Sequence, residues 1–328
     1  MSKKLLGQFY TKNNPFDNTL FYKWLEIANF KNEIILEPFA GSNNIVKMLY
    51  DLGYKNKWIC YDIEPSKINN FPNFIINQRN TILDYPKNFK IAITNPPYLA
   101  KNSATRNNLP FINTKYDDLY KVALDIMLKN NDFVAAIIPE SFITQGIFHN
   151  RLYGIISLTY KLFEDTVCPV CLALFIPKNK KLNIIDDFII YRENNFIVNF
   201  KNINRLKSKN KYDWKFNDPY GEIGLFCIDN TKTKSIRFVL GNIIASNKIT
   251  HSNRGVTRIK GIPNNVNIDL FINKLNEELN KFRDNTFDIT LTAFKQLRKD
   301  GLYRRRLDFK SAKEILNYCL DNYNNFKI

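Results

Sequence analysis

The sequence predicts an α/β fold, and three observations predict it. Residues 1–177 alternate short apolar runs with segments of helical period, the pattern of a parallel sheet with crossover helices. Several of those runs stop abruptly at turn-forming residues, as strands feeding loops do. The 328 residues are 45% hydrophobic and 14% aromatic, enough apolar material for a core, which excludes wholesale disorder. The length also exceeds the ~250–300 residues at which a single core stops growing, so two domains are expected. Pro177-Lys178-Asn179-Lys180-Lys181 reads as the boundary, giving domains at 1–177 and 178–328.

The elements follow in order. Residues 34–36 read as a buried strand and 37–43 as a turn. Ile45, Val46, Leu49 and Leu52 have helical spacing, and Gly53 can close that helix. Residues 58–61 form a second strand ending in Asp62, and 91–94 another, stopped by Asn95-Pro96-Pro97. A helix over 119–128, a strand over 133–138 and a strand over 167–176 complete the first domain. Beyond it the pattern shortens to strands at 188–191, 196–200, 224–228 and 236–240. Ser311-Ala312-Lys313-Glu314 reads as a capping box opening a last helix through Leu320.

Charge is uneven along the chain. The formal net charge is +17, of which residues 1–200 carry +5 and residues 201–328 carry +12. The second part therefore has the electrostatic footprint of a polyanion-binding domain, with nucleic acid the first candidate. A Lys- and Asn-rich coding bias gives a similar composition. Only two apolar residues follow the first lysines, too few for a signal-peptide core, and no apolar run reaches the ~18 residues of a membrane span. Five cysteines without secretory context argue for reduced thiols. A soluble, cytoplasmic protein is expected.

The most informative residues are Asn95-Pro96-Pro97-Tyr98, just past the carboxyl end of a strand, where open parallel sheets place their ligands. Two prolines remove two backbone donors and stiffen the loop. Carbonyl oxygens beside the Asn carboxamide oxygen then suit a flat ring carrying an exocyclic amine, on which Tyr98 can stack. The same residues also suit a rigid turn with a packed tyrosine. Upstream, Asp62 lies 21 residues beyond Gly41, the spacing at which a carboxylate reaches ribose hydroxyls. The turn has one Gly where pyrophosphate binding wants three, so a nucleoside cofactor lacking pyrophosphate is the better inference. S-adenosylmethionine meets that description.

Four motifs in order, Gly7-Gln8-Phe9-Tyr10-Thr11, Leu36-Glu37-Pro38-Phe39-Ala40-Gly41-Ser42, Tyr61-Asp62-Ile63-Glu64-Pro65 and Asn95-Pro96-Pro97-Tyr98, resemble the gamma-ordered N6-adenine DNA methyltransferases. The resemblance covers about residues 5–177. It implies a seven-stranded, mixed, mainly parallel sheet with an antiparallel C-terminal strand, and a smaller basic target-recognition domain. It implies that Gln8, Phe9, Tyr10, Thr11, Glu37, Phe39 and Gly41 surround the methionine end of S-adenosylmethionine. Asp62 would hold the ribose hydroxyls, Ile63 would pack on the cofactor adenine, and Asn80 would accept from its amine. Asn95 Oδ1 and the Pro96 carbonyl would accept from the N6 amine of a target adenine flipped out of double-stranded DNA, stacked between Tyr98 and Phe163. Lys12 stands where the family commonly has Pro, Asn43 where it has a second Gly, and Asn80 where it has Asp.

DNA contacts are expected from Lys101 and Arg106, in a loop after the Asn-Pro-Pro-Tyr element, from Arg254 and Arg258, and from the run Arg304, Arg305 and Arg306. Cys168-Pro169-Val170-Cys171 lacks a second Cys pair, and His149 and His251 lack ligand spacing, so no metal is expected. Three other readings share parts of the pattern. A protein glutamine methyltransferase can use the same loop, but that family carries a helical domain before its cofactor loop. An RNA adenine methyltransferase would have a similar pocket. A catalytically inactive nucleic-acid-binding module is the third. The length leaves little room for a nuclease domain, so any restriction endonuclease partner is expected as a separate chain.

Overall fold

A computed structural model describes residues 14–158, 169–178, 187–192, 194–203, 206, 208, 210–251 and 254–322. The chain forms two compact units, residues 1–201 and 202–328. The division therefore falls beyond the boundary expected at Pro177.

The first unit runs α1 (Thr19–Ala28), β1 (Ile35–Glu37), α2 (Asn44–Asp51), β2 (Trp58–Asp62), β3 (Ile76–Gln78), β4 (Ile91–Thr94), α3 (Lys101–Arg106), α4 (Leu119–Asn130), β5 (Phe133–Pro139), β6 (Leu152–Ser157), β7 (Val170–Phe175), β8 (Ile189–Arg192) and β9 (Asn195–Asn199). These strands form one mixed sheet in the order β3-β2-β1-β4-β5-β7-β6-β8-β9. The strands from β3 to β5 pair in parallel, and β7 runs antiparallel to both β5 and β6. The sheet has nine strands rather than seven, because β8 and β9 add to its edge instead of opening the second domain. Gly154 makes that edge possible: a Cβ there would lie 3.2 Å from the Ile189 carbonyl and 2.8 Å from Leu20 Cδ2.

All four residues of β4 are buried, as expected of a central strand. Two faces of apolar side chains cover the sheet. Trp24 of α1 stacks on Phe21, meets Phe133 edge-on, and donates its indole N–H to the Phe175 carbonyl at 2.9 Å. Asn18 caps α1 by accepting from Leu20 N, and Asp118 caps α4 by accepting from Tyr120 N. At the other end of α4, the Arg151 guanidinium donates to the Leu128 carbonyl, one of those a helix end leaves open, and to the carbonyls of Asn131 and Asp132 in the link to β5.

The second unit runs β10 (Lys215–Phe216), β11 (Ile223–Phe226), β12 (Arg237–Leu240), β13 (Val256–Lys260), α5 (Ile268–Asn285), β14 (Thr292–Leu297), β15 (Tyr303–Arg306) and α6 (Phe309–Asp321). An antiparallel sheet β10-β13-β11-β12 and a β14-β15 hairpin surround a core of Ile223, Leu225, Phe238, Phe271, Leu275, Leu279, Ile315 and Leu316. Beside that core Asp229, fully buried, accepts from Arg283 Nη1 and Nη2 at 2.9 and 2.8 Å and from Arg298 Nη1 at 3.2 Å. Asp288 holds the far side of Arg283, so Asp229, Arg283 and Arg298 each have a counter-charge. The last helix starts earlier than its expected capping box: Asp308 is the N-cap and accepts from Ser311 N at 2.8 Å.

Candidate functional site

The strand order reverses between β1 and β4, which makes the crevice at their carboxyl ends the switch point where open α/β sheets bind ligands. Adjacent strands β2, β1 and β4 bring Asp62, Glu37 and Asn95 to that one edge, the first two as the last residues of their strands and Asn95 as the residue after Thr94. The residues chosen from sequence at these three positions therefore come together.

Glu37 is buried, with 1% of its surface exposed. Its Oε1 accepts from the Thr94 hydroxyl across the β1–β4 boundary and from Phe39 N at 3.2 Å. Its Oε2 is buried and has no hydrogen-bond partner among the described residues. Burial outweighs the two hydrogen bonds and pushes the carboxyl up to about 8, with the nearby Asp62 adding to the shift. Near neutral pH the group therefore carries a proton, and with Oε1 already accepting twice that proton belongs on Oε2. A cation reaching Oε2 would displace it.

Asp62 is also buried, and both its oxygens organise the loop around it. Oδ2 accepts from Gly41 N and Oδ1 from Glu64 N, each at 2.9 Å. Gly41 has φ 55° and Asn43 φ 60°. Asn is the residue that, after Gly, best tolerates this left-handed region, so the Gly-to-Asn departure keeps the turn. Asn43 adds bonds that Gly lacks: its Nδ2 donates to Asn69 Oδ1 at 3.1 Å and to the Phe74 carbonyl at 2.8 Å. These tie the turn to the segment joining β2 and β3.

After β4, Pro96 is buried while Asn95, Pro97 and Tyr98 are half-buried. The Tyr98 hydroxyl lies 2.5 Å from Asn95 Oδ1 and 2.5 Å from the Ile137 carbonyl of β5. Its ring stands edge-on to Tyr120 of α4 at 6.3 Å. Residues 100 and 118 form a bridge, and Leu119 N donates to the Leu99 carbonyl, so the excursion carrying α3 is closed at its base. Lys101 and Arg106 are exposed on α3, a short helix where a loop was expected.

Of the other expected cofactor residues, Phe39 is half-buried and Ile63 is 52% exposed, an apolar side chain next to Asp62 with no core to fill. Asn80 Oδ1 accepts from the backbone of Ile82 and Leu83, closing a turn that Thr81 ties to the Pro38 carbonyl at 2.8 Å. Gln8, Phe9, Tyr10, Thr11 and Phe163 lie outside the described residues. Sequence reasoning missed Thr94; a threonine closing a strand immediately before Asn95 was its only signal.

In the second unit, strand register separates the two faces of the β10-β13-β11-β12 sheet. Phe216, Ile223, Leu225, Phe238 and Ile259 face the core. Cross-strand partners share a face, so the pairs Lys215↔Lys260, Gly224↔Arg258 and Phe226↔Arg237 put Lys215, Arg237, Arg258 and Lys260 together on the outer face. The Arg237 guanidinium lies 4.4 Å from the Phe226 ring centroid, and Arg258 Nε donates to the Gly221 carbonyl. None of these four cations has a carboxylate partner among the described residues. Of this set the sequence pointed only to Arg258. Arg254 is exposed close by.

The run Arg304, Arg305 and Arg306 is not one exposed cluster, which corrects the sequence expectation. Arg305 is buried and donates to the Leu291 carbonyl, while half-buried Arg304 donates to the Asp229 carbonyl and Gln296 Oε1. Successive side chains on a strand point to opposite faces, so a run of three cannot act together. No group of His, Cys, Asp and Glu among the described residues is arranged to hold a metal ion, and no described helix is long and apolar enough to cross a membrane.

No protein-family model matches the chain, and no curated protein matches it in sequence. Solved structures align with part of the chain. A type I restriction-modification methyltransferase subunit from Streptococcus thermophilus is 17% identical over 56% of this chain and 47% of its own, with a TM-score of 0.39. The methyltransferase subunit of the type I restriction enzyme EcoKI is 14% identical over 56% of this chain and 48% of its own, at 0.40. A candidate RNA methyltransferase from Pyrococcus horikoshii is 16% identical over 55% of this chain and 90% of its own, also at 0.40. The chain thus spans about half the length of the type I subunits. At these values the likenesses set no function for this chain, and the reading of the site rests on its own residues.

The Glu37 assignment has a measurable consequence for stability. Its carboxyl binds a proton more tightly when folded than when unfolded, so folding stability falls as pH rises from the ordinary carboxylate range to about 8. Glu37→Gln removes that fall. In urea denaturation its stability relative to the parent should rise by about 1.4 kcal/mol per pH unit across this window and level off above it. A difference that does not change with pH contradicts the buried, protonated carboxyl.

Proposed function

We propose that this chain transfers a methyl group from S-adenosylmethionine to N6 of adenine in double-stranded DNA, the first unit supplying the transfer site and the second a DNA-binding surface. The observation that carries the reading is the row Asp62, Glu37 and Asn95 across three adjacent strand ends at the switch point. Two buried carboxyl groups and one carboxamide, in a loop with two prolines, make an edge of acceptors. That edge fits a ligand bearing an ammonium group, ribose hydroxyls and an exposed amine. In the turn after β1 the N–H groups of Phe39, Ala40, Gly41 and Asn43 already donate within the protein, so they do not form the cradle of backbone donors that phosphates need. Glu37 Oε2 would take the ammonium group, Asp62 the ribose hydroxyls, and exposed Ile63 the face of an adenine ring.

When bound, S-adenosylmethionine supplies a methyl group on a positively charged sulfur, ready for in-line attack. The chain must then localise a lone pair on the N6 amine, which is otherwise delocalised into the ring. Acceptors at Asn95 Oδ1 and the Pro96 carbonyl favour a pyramidal nitrogen, and so stabilise the transition state more than the ground state. Alignment of the two reactants supplies the rest, for which positioning is worth about 7–11 kcal/mol. The outer sheet face of the second unit, with four cations and the Phe226 ring, fits a sugar-phosphate backbone.

Purified protein given methyl-labelled S-adenosylmethionine with duplex DNA, RNA and protein acceptors should label N6-methyladenine in the DNA alone, and Asn95→Ala should abolish it. Label in RNA or on glutamine would move the substrate while keeping the site, and no label in any acceptor would contradict the reading. The surface has its own test. Removing Arg237 and Lys260 together should lower the slope of log affinity for duplex DNA against log salt by about 1–2, at roughly 0.9 per phosphate contact. An unchanged slope would place the DNA elsewhere.

A further inference from the structure

One aromatic ring stands on the basic face of the second unit without a core to fill. Tyr220 is 80% exposed, in the connection between β10 and β11. A single exposed aromatic residue means little by itself. What gives this one a role is where the connection runs and how firmly it is held.

Strands β10 and β11 both pair with β13, through Phe216↔Ile259 and Ile223↔Ile259, so the chain crosses β13 between them. Ile259 keeps its side chain in the core, which leaves the outer face for the crossing. Gly221 lies against the Ile259 backbone there. A Cβ on it would stand 2.6 Å from both the nitrogen and the carbonyl carbon of Ile259, so only glycine lets the chain pass this close. Arg258 Nε, on the same face, donates to the Gly221 carbonyl at 3.0 Å. Tyr220 directly precedes Gly221 and is thereby carried onto the face that holds Lys215, Arg237, Arg258 and Lys260.

The turn beneath the ring is rigid. Pro219 fixes one backbone angle, Gly221 N donates to the Asp218 carbonyl at 3.0 Å, and Tyr220 N donates to Asp218 Oδ1 at 2.8 Å. The turn is also bonded to β13: Asn217 N donates to Thr257 Oγ1 at 2.9 Å and Asp218 N to the Arg258 carbonyl at 3.2 Å. A ring held in this way loses little freedom on binding. It adds what the cations lack, because cations meet phosphates whatever the sequence, while a flat aromatic face meets a base.

We propose that Tyr220 is the base-stacking residue of the second unit's DNA surface, its ring lying on the face of a base while the cations of the same face hold the phosphates. The proposal rests on the reading of that face as DNA-binding, and it is independent of methyl transfer. A base offers its face only when unstacked, so the contact is strongest where a base is already unpaired.

Heparin carries negative charge like a nucleic acid but has no bases, so binding of the intact chain to each ligand separates the two kinds of contact. Tyr220→Ala should weaken binding to duplex DNA bearing a single-nucleotide gap about tenfold, and should leave heparin affinity within about twofold. The salt slope for DNA should stay unchanged, since no phosphate contact is lost. Tyr220→Phe keeps the ring and should bind the gapped DNA within about twofold of the parent. Equal losses on DNA and heparin, no loss on either, or a loss in Tyr220→Phe as large as in Tyr220→Ala would overturn the inference. A parent chain that fails to bind DNA would overturn the DNA-binding reading of the face, and the inference with it.

Discussion

A buried carboxyl at the end of β1 is the constraint on which the carboxyl edge of the first unit depends. Glu37 cannot be ionised cheaply where it lies, so the fold supplies the Thr94 hydroxyl and the Phe39 amide to one oxygen and leaves the other with a proton. The Thr94 bond joins the two strands between which the sheet order reverses. Asn95 follows Thr94 directly, so the same bond that satisfies the carboxyl sets where the Asn-Pro-Pro-Tyr loop begins. Burial, strand register and loop position are one arrangement here.

Asp62 serves the neighbouring strand in a similar way. By accepting from Gly41 and Glu64 it holds the turn after β1 against the end of β2. Asn43 extends the hold to the segment before β3. The three strand ends are thus cross-linked by side chains, which gives the edge a preformed geometry at little further cost in entropy on binding.

The parts of this account that were legible in the sequence are those fixed by local chemistry. Pro96 and Pro97 stop a strand whatever surrounds them, and the spacing of Gly41 and Asp62 follows from one βαβ turn. The parts that were not legible depend on distant partners. The Lys-rich run after Pro177 resembles a linker, yet β8 pairs with β6 because Gly154 leaves room for it. Arg305 sits in a basic run but is buried by the second unit's own core. Arg237 and Lys260 lie far apart in sequence and come to the same face only through the register of three antiparallel strands. Asn43 read as a loss relative to Gly, and its backbone angle and side-chain bonds show a substitution that keeps the turn.

The central claim is that the ends of β1, β2 and β4 form the binding site for a sulfonium nucleoside. Ultraviolet crosslinking of labelled S-adenosylmethionine to the intact chain, followed by peptide mapping, tests it most directly. The account predicts label in the peptides containing residues 37–43, 61–64 or 95–98, suppressed by excess unlabelled cofactor and weakened by Glu37→Gln. Label confined to residues 202–328, or no competable label on the chain, would contradict it.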